Sequence, residues 1–323
     1  MLQRPISRRA TLAGAAGLLL GGCSLGGHTP APAAVSDVRT YPDATRPDLL
    51  VSTAEVAEKL GQWCDGPTIL DVRPIRDYRA GHIRGAKHVW WQDTMERNAL
   101  SYGATLKPDD ETGAQTRRQA VLDLWGVREA HRIVVYDDAV SVEAARVVWF
   151  LSFLGYPRVA LLDGGYAGWL AAGIPRIEPP EGIALCAAPP EESPQSGYYF
   201  LYEQVLKRLA EGNTILLDIR TDAELRDTVG GTVLPGTIPG AIAWPWTDLL
   251  DASRRLLPAA DIAGRAASLG LLPTQRVILV GRFATDCALS WLALQLVGFP
   301  DVPTYDGGWM EWSTRPDAPV VWR

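Results

Sequence analysis

The residue types best suited to chemistry in this chain lie in and around the run Val277–Asp286. Val277 to Val280 are four apolar residues in succession, the pattern of a strand buried on both faces, and Cys287–Val297 follows with the apolar content of a packed helix. Between them Gly281, Arg282, Phe283, Ala284, Thr285 and Asp286 form a strand-to-helix turn. In a parallel α/β sheet such a turn sits at the carboxyl end of its strand, and the free N–H groups of the helix start face whatever binds there. Arg282 beside those donors suits an oxyanion or a partner's carboxylate; a solvated surface arginine is the competing reading. Asp286 or Thr285 reads as the N-cap of the helix, filling donors that an anion would use. Cys287 brings a thiol close to the turn, but free cysteine is among the most buried residue types, so packing competes with reactivity.

The elements that must position this turn are present twice. Thr68–Arg73 (TILDVR) and the turn Gly81-His82-Ile83-Arg84-Gly85-Ala86 are echoed by Ile215–Arg220 (ILLDIR) and Gly236-Thr237-Ile238-Pro239-Gly240-Ala241. Arg132–Tyr136 (RIVVY) is echoed by Arg276–Val280 (RVILV), and Leu162-Asp163-Gly164-Gly165 with Trp169 by Tyr305-Asp306-Gly307-Gly308 with Trp312. Ile133 and Val277 are 144 residues apart, Asp163 and Asp306 143, so the chain is a duplication of one α/β domain. Within each copy the strand-end Asp71 and Asp218 should accept backbone N–H groups, while Arg73 and Arg220 can pair with acids such as Asp77 and Asp222. The Gly-Gly pairs suit positive φ, and each following Trp should pack its helix onto the sheet. Trp244, Trp246 and Trp309 are candidates for lining a cleft between the domains.

This ordered set of motifs, from about residue 48 to 320, resembles the tandem-domain rhodanese sulfurtransferases of the thiosulfate and 3-mercaptopyruvate type. The resemblance implies an α/β fold of two tandem rhodanese-like domains, each a mostly parallel sheet flanked by helices, with the reaction in the second. In that family a cysteine opens the turn, and its thiolate carries sulfur from donor to acceptor by two displacements. Here that position falls on Gly281, and the equivalent first-domain turn, Asp137-Asp138-Ala139-Val140-Ser141-Val142, also lacks a thiol. Ala284 replaces a frequent loop glycine and Asp286 stands where a cation often sits. No confident catalytic residue remains, and Cys287 is the fallback nucleophile. The related phosphatase loop, which needs an arginine six positions after its cysteine, is excluded because residue 293 is Ala.

Composition sets the address. Arg8 and Arg9 precede the apolar run Thr11–Leu20, and Leu20-Gly21-Gly22-Cys23 resembles a lipoprotein-type export signal that is cleaved before Cys23, with lipid joined to its thiol. A plain signal or a membrane anchor is the rival, and the export route, twin-arginine or general, stays open. The expected division is an export signal over 1–22, a lipid-anchored tether over 23–46, a first domain over 47–177, a Pro-rich acidic linker over 178–197 and a second domain over 198–323. Removing residues 1–22 takes three of the 31 basic residues and none of the 37 acidic ones, so the net charge moves from −6 to −9, which argues against nucleic-acid binding. Cys64, Cys186 and Cys287, with His28, His82, His88 and His131, form neither a disulfide framework nor a metal site, and no cofactor is expected.

The leading expectation is therefore an exported, membrane-tethered protein on the periplasmic or cell-surface side that lacks ordinary sulfur transfer. It would bind a small oxyanion or an envelope protein. The alternatives are an active thiosulfate-type sulfurtransferase using Cys287 or another chemistry, and a purely structural envelope protein.

Overall fold

The computed structural model describes Tyr41 and residues 43–60, 66–95, 119–127, 132–175, 195–226 and 235–321. Cys23, the signal, most of the tether and linker, Cys64 and Cys186 lie outside the described residues. The chain builds two five-stranded sheets with identical strand order. The first runs β1 (Leu50–Val51), β5 (Val159–Leu162), β4 (Ile133–Tyr136), β2 (Thr68–Asp71), β3 (Lys87–His88). The second runs β6 (Tyr199–Phe200), β10 (Thr304–Tyr305), β9 (Arg276–Val280), β7 (Thr214–Asp218), β8 (Ile242–Ala243). All pairings are parallel, as the apolar strand runs predict. The register repeats too: Asp71 stands beside Tyr136 and Asp218 beside Val280, which brings each strand-end aspartate to the turn that follows the central strand.

Period-two alternation sends the two faces of each sheet into different cores. In β4, Ile133 and Val135 face one cluster and Val134 and Tyr136 another; in β9, Val277 and Leu279 divide from Ile278 and Val280 in the same way. The inner faces of both sheets share a single apolar cluster, whereas each outer face has its own. The shared cluster is filled by two equivalent helices, Val142–Phe153 and Ala288–Leu296, which pack against each other across the domain boundary. Nearly every residue of both helices is buried, because each meets its own sheet on one side and the partner helix on the other. Of the three tryptophans expected at a cleft, Trp244 is buried in the cluster shared by the two domains with Trp246 partly buried against it, whereas Trp309 is buried in the outer-face cluster of the second domain.

The first described residues cross the second domain before entering the first. Backbone N–H groups of Thr45 and Arg46 both donate to the carbonyl of Leu296, at 2.9 and 3.2 Å, and the Tyr41 hydroxyl donates to the carbonyl of Leu256 at 3.2 Å. The strap thus satisfies a carbonyl at the end of the Ala288–Leu296 helix that has no partner within the helix. Gly298, at φ +91°, passes so close to Thr45 that a β-carbon there would lie 2.7 Å from its hydroxyl. Among the described residues no helix is long and apolar enough to cross a membrane.

One shared core predicts one unfolding unit. Phe150→Ala, at a fully buried position of the shared cluster, should cost about 3–5 kcal/mol. Urea unfolding followed by tryptophan fluorescence and by circular dichroism should give coincident transitions, both displaced by the substitution; a domain that keeps its original midpoint would contradict the shared core.

Candidate functional site

A buried ion pair at each strand end organises the site. Arg73 donates from Nε and Nη2 to both carboxylate oxygens of Asp71 at 2.6 to 3.1 Å, and Nη2 also reaches the carbonyl of Gly81 at 2.8 Å. Arg220 repeats this with Asp218 at 2.7 and 3.0 Å and with the carbonyl of Gly236 at 2.8 Å. The aspartates also accept the backbone N–H groups of Arg73 and Arg220, as expected, but the arginine partners are these aspartates and not Asp77 or Asp222. The reason is local: each arginine stands two residues past the last residue of its strand, so its guanidinium folds back onto the carboxylate at the strand end. The remaining acceptor capacity of each carboxylate goes to a hydroxyl, Tyr136 at 2.5 Å in the first domain and Thr237 at 2.8 Å in the second.

Each guanidinium then packs against an aromatic ring at the start of the helix after the Asp-Gly-Gly motif. Arg73 lies 3.7 Å from the ring centre of Tyr166, and Arg220 lies 4.3 Å from that of Trp309. Those same helix starts hold the turns. Tyr166 and Ala167 donate their backbone N–H groups to the carbonyls of Asp137 and Asp138, both at 2.8 Å; Trp309 and Met310 do the same for Gly281 and Arg282 at 2.9 and 3.2 Å. Gly165 and Gly308, both at φ +58°, make this approach possible, since a β-carbon would come within 2.6 Å of the Asp137 and Arg282 carbonyl oxygens. Gly164 also has positive φ, but Gly307 is right-handed at φ −73°; glycine is required there because a β-carbon would strike the β-carbon of Glu311 at 2.6 Å.

The turn itself is closed. After β9 the chain passes Gly281, Arg282 and Phe283, makes a single 3-10 turn over Ala284–Cys287, and enters the Ala288–Leu296 helix. A β-carbon on Gly281 would lie 2.7 Å from the carbonyl oxygen of Phe283, 3.0 Å from Cβ of Asp286 and 3.2 Å from Sγ of Cys287. Any side chain there, a cysteine included, requires the turn to open. Neither Asp286 nor Thr285 is the N-cap of the helix: that residue is Cys287, and Phe283 caps the 3-10 turn, with Asp286 three positions on reaching back to accept the Phe283 N–H at 2.9 Å. That still occupies a donor at the helix start, and the hydroxyl of Thr285 faces the same carboxylate at 3.4 Å. Burial pushes the Asp286 carboxyl from the ordinary 3.8 up to about 6, with the Phe283 N–H opposing and Glu224 reinforcing the rise.

Cys287 is fully buried at the end of the 3-10 turn. Its sulfur faces the Gly281 N–H, which favours a thiolate, but burial first and the neighbouring Asp286 second push the thiol well above its ordinary range. The first domain contributes a further cation that the sequence reading did not single out. Arg146, on the Val142–Phe153 helix, is fully buried, donates to the hydroxyl and carbonyl of Thr94 at 3.0 and 3.1 Å, and stacks 4.3 Å from the Trp149 ring centre. Burial lowers its pKa to about 10, while the fields of Asp306, Cys287 and Asp286 across the domain boundary raise it. An arginine in the middle of the mostly apolar run Val142–Phe153 was the available signal. Arg255 makes a reciprocal link, its Nη2 meeting Asp163 of the first domain at 2.5 Å. A cavity of about 240 Å³ bounded by Arg46, Ser152, Tyr198, Trp291 and Gln295 opens at the other end of the interface helices, away from the turn. Among the described residues no group of three metal-ligating side chains comes together.

Comparison with known proteins follows the two halves. The model of the rhodanese-like domain matches residues 52–172 and again 201–315. The chain is 31% identical over 259 residues to a thiosulfate sulfurtransferase of Azotobacter vinelandii, covering 78% of this chain and 90% of that one. It is 34% identical over 204 residues to a probable 3-mercaptopyruvate sulfurtransferase of Pseudomonas aeruginosa, covering 62% of this chain and 71% of that one. Among solved structures, an anaerobic ergothioneine biosynthesis enzyme from Chlorobium limicola superposes with a TM-score of 0.72 at 18% identity, covering 86% of this chain and 71% of that one, a likeness of fold.

The raised carboxyl of Asp286 has a defined sign for stability. The folded state holds this proton more tightly than the unfolded chain, so stability falls as pH rises from about 4 to about 6. Asp286→Asn keeps an acceptor for the Phe283 N–H and removes the charge. Denaturant unfolding across that window should show a slope smaller by on the order of 1–2 kcal/mol in the variant, after allowance for partial solvent contact; identical slopes in the two proteins would refute the assignment.

Proposed function

We propose, from the premise that this chain belongs to the rhodanese-like family with two such domains in tandem, that its second-domain turn works by binding and not by carrying sulfur. The observation that carries this reading is the closed turn over Gly281. Family sulfur transfer needs a thiolate at that position, ringed by backbone N–H donors, to take sulfur from one substrate and yield it to another. Here the position has no side chain, its space is filled by the Phe283 carbonyl, Asp286 and Cys287, and one donor of the helix start is spent on Asp286. Arg282, half-buried beside the exposed ring of Phe283, puts a cation in the turn that would meet an anionic ligand or a partner's carboxylate. The leader of the chain supports an exported, lipid-anchored protein held through Cys23, which would present this turn on the periplasmic or cell-surface side.

One observation favours a second reading. Cys287 Sγ lies 3.2 Å from where a β-carbon of residue 281 would stand, so a sulfur already occupies part of the cradle and faces the Gly281 N–H. With the turn open, this thiol, once deprotonated, would attack the outer sulfur of thiosulfate, breaking the S–S bond of the donor and releasing sulfite to leave a persulfide. Its burial and the adjacent carboxyl weigh against that at neutral pH.

Intact-protein mass spectrometry before and after thiosulfate, with a cyanide rinse, separates the two. The binding reading expects no added sulfur in the wild type. Gain of one sulfur that cyanide removes and Cys287→Ser abolishes would establish the second reading in its place.

A further inference from the structure

The cavity at the end of the interface helices away from the turn is bounded by equivalent pieces of both halves. The N–H of Arg46 donates to the carbonyl of Leu296 at 3.2 Å, and the N–H of Gln195 to the carbonyl of Phe153 at 2.7 Å. Leu49 and Tyr198 each stand one residue before an edge strand, and the carbonyls of Ser152 and Gln295 each accept the N–H of a glycine, Gly155 or Gly298, at the close of an interface helix. Both members of all three pairs line the cavity of about 240 Å³. Matching backbone therefore places it, and unlike side chains set its chemistry: arginine against glutamine, leucine against tyrosine, serine against glutamine.

What the cavity exposes is mostly polar, and several of its polar groups are donors without an acceptor. The Tyr198 ring is held among three others, 5.6 Å from Trp149, 6.0 Å from Phe153 and 5.8 Å from Trp291. Burial pushes its hydroxyl up from the ordinary range, and the field of the neighbouring Arg46 opposes the rise. Among the described residues, the Tyr198 hydroxyl, the Ser152 hydroxyl and the Trp291 indole N–H have no hydrogen-bond partner, yet none of the three is sealed from water. Trp291 as a whole is only 5% exposed, so its N–H is reached through a narrow opening. Arg46 spends Nε and Nη2 on Asp48 at 2.8 to 3.3 Å and leaves Nη1 outside those bonds.

We propose that this cavity is a second binding site, for a small hydroxy- or oxo-carboxylate whose oxygens accept from Arg46, Tyr198, Ser152 and Trp291. An acceptor-rich guest satisfies these donors, whereas an amine adds more of what the wall already holds. The volume lies below the roughly 300–1,000 Å³ of sites for drug-sized molecules, which limits the guest to a few carbons. Arg46 is exposed, so its charge is reachable from solvent, and the carboxylate shares it with Asp48. The site is separate from the turn after β9: Gln295, on its wall, lies about 12 Å along the helix axis from Cys287, where the turn ends. It therefore stands whether or not the turn binds anything.

Isothermal titration of the full chain with L-lactate and L-malate, with glycerol as the uncharged comparator, tests this. Saturable binding of one equivalent of either acid, and none of glycerol, is expected. Tyr198→Phe keeps the ring and removes the hydroxyl, and should weaken binding by about tenfold, the loss of one hydrogen bond to a charged group. Ser152→Leu fills the cavity from the helix side and should abolish binding; if that variant does not fold, Tyr198→Phe decides alone. Arg282→Ala, in the turn, should bind the acids as the wild type does. Absence of binding by both acids, equal affinity in Tyr198→Phe, or loss of binding in Arg282→Ala, which would assign the anion to the turn, overturns the site.

Discussion

Each half of the chain takes a guanidinium out of water beside its own carboxylate, and much else in the half hangs on that pair. Asp71 with Arg73, and Asp218 with Arg220, tie a central strand end to the carbonyl of a glycine turn and, through the ring stacked on the arginine, to the start of a helix. That helix start holds the carbonyls of the next turn. A buried pair of this kind adds little net stability over an apolar replacement, but losing one member strands a charge at a cost of about 3–5 kcal/mol. Its role here is positional: it makes the geometry of three loops a single problem.

The same frame explains why the two turns can diverge without loss of fold. The backbone bonds from the helix starts at Tyr166 and Trp309 hold both turns alike, while each turn adds side-chain bonds of its own, Asp137 with Ser141 in the first and Asp286 in the second. The second turn holds a glycine covered by its own neighbours and a buried thiol at the helix start. The wall on the far side is supplied by the other domain through Arg146, which puts a positive charge within the field of Asp306, Cys287 and Asp286. The second turn spends the Phe283 N–H internally, on Asp286.

Much of this was legible in the sequence because it depended on repetition and local spacing. The duplication, the sheet class, the burial of Cys287 and the emptiness of position 281 all follow from motifs that keep a constant offset. What was not legible depended on three-dimensional meetings between distant residues. The partners of Arg73 and Arg220 were assigned to acids such as Asp77 and Asp222, whereas each guanidinium folds back onto the aspartate at the end of the strand before it, Asp71 or Asp218. Gly307 was read as a positive-φ glycine, whereas its constraint comes from a side chain one helical turn later. Arg146 was passed over because its significance lies in the second domain, across a boundary that no local pattern marks.

The strap from Tyr41 to Arg46 has a mechanical consequence. Its bonds run to Leu256 and Leu296, so the chain is fastened to the second domain before it joins the sheet of the first at β1. A pull applied from the N-terminal side is therefore resisted at both domains together, loading the joint between them in shear and sparing a two-residue edge strand from being peeled away. Traction on that end would load the seam that the domains share and, through Leu296, the very helix whose start carries the second turn.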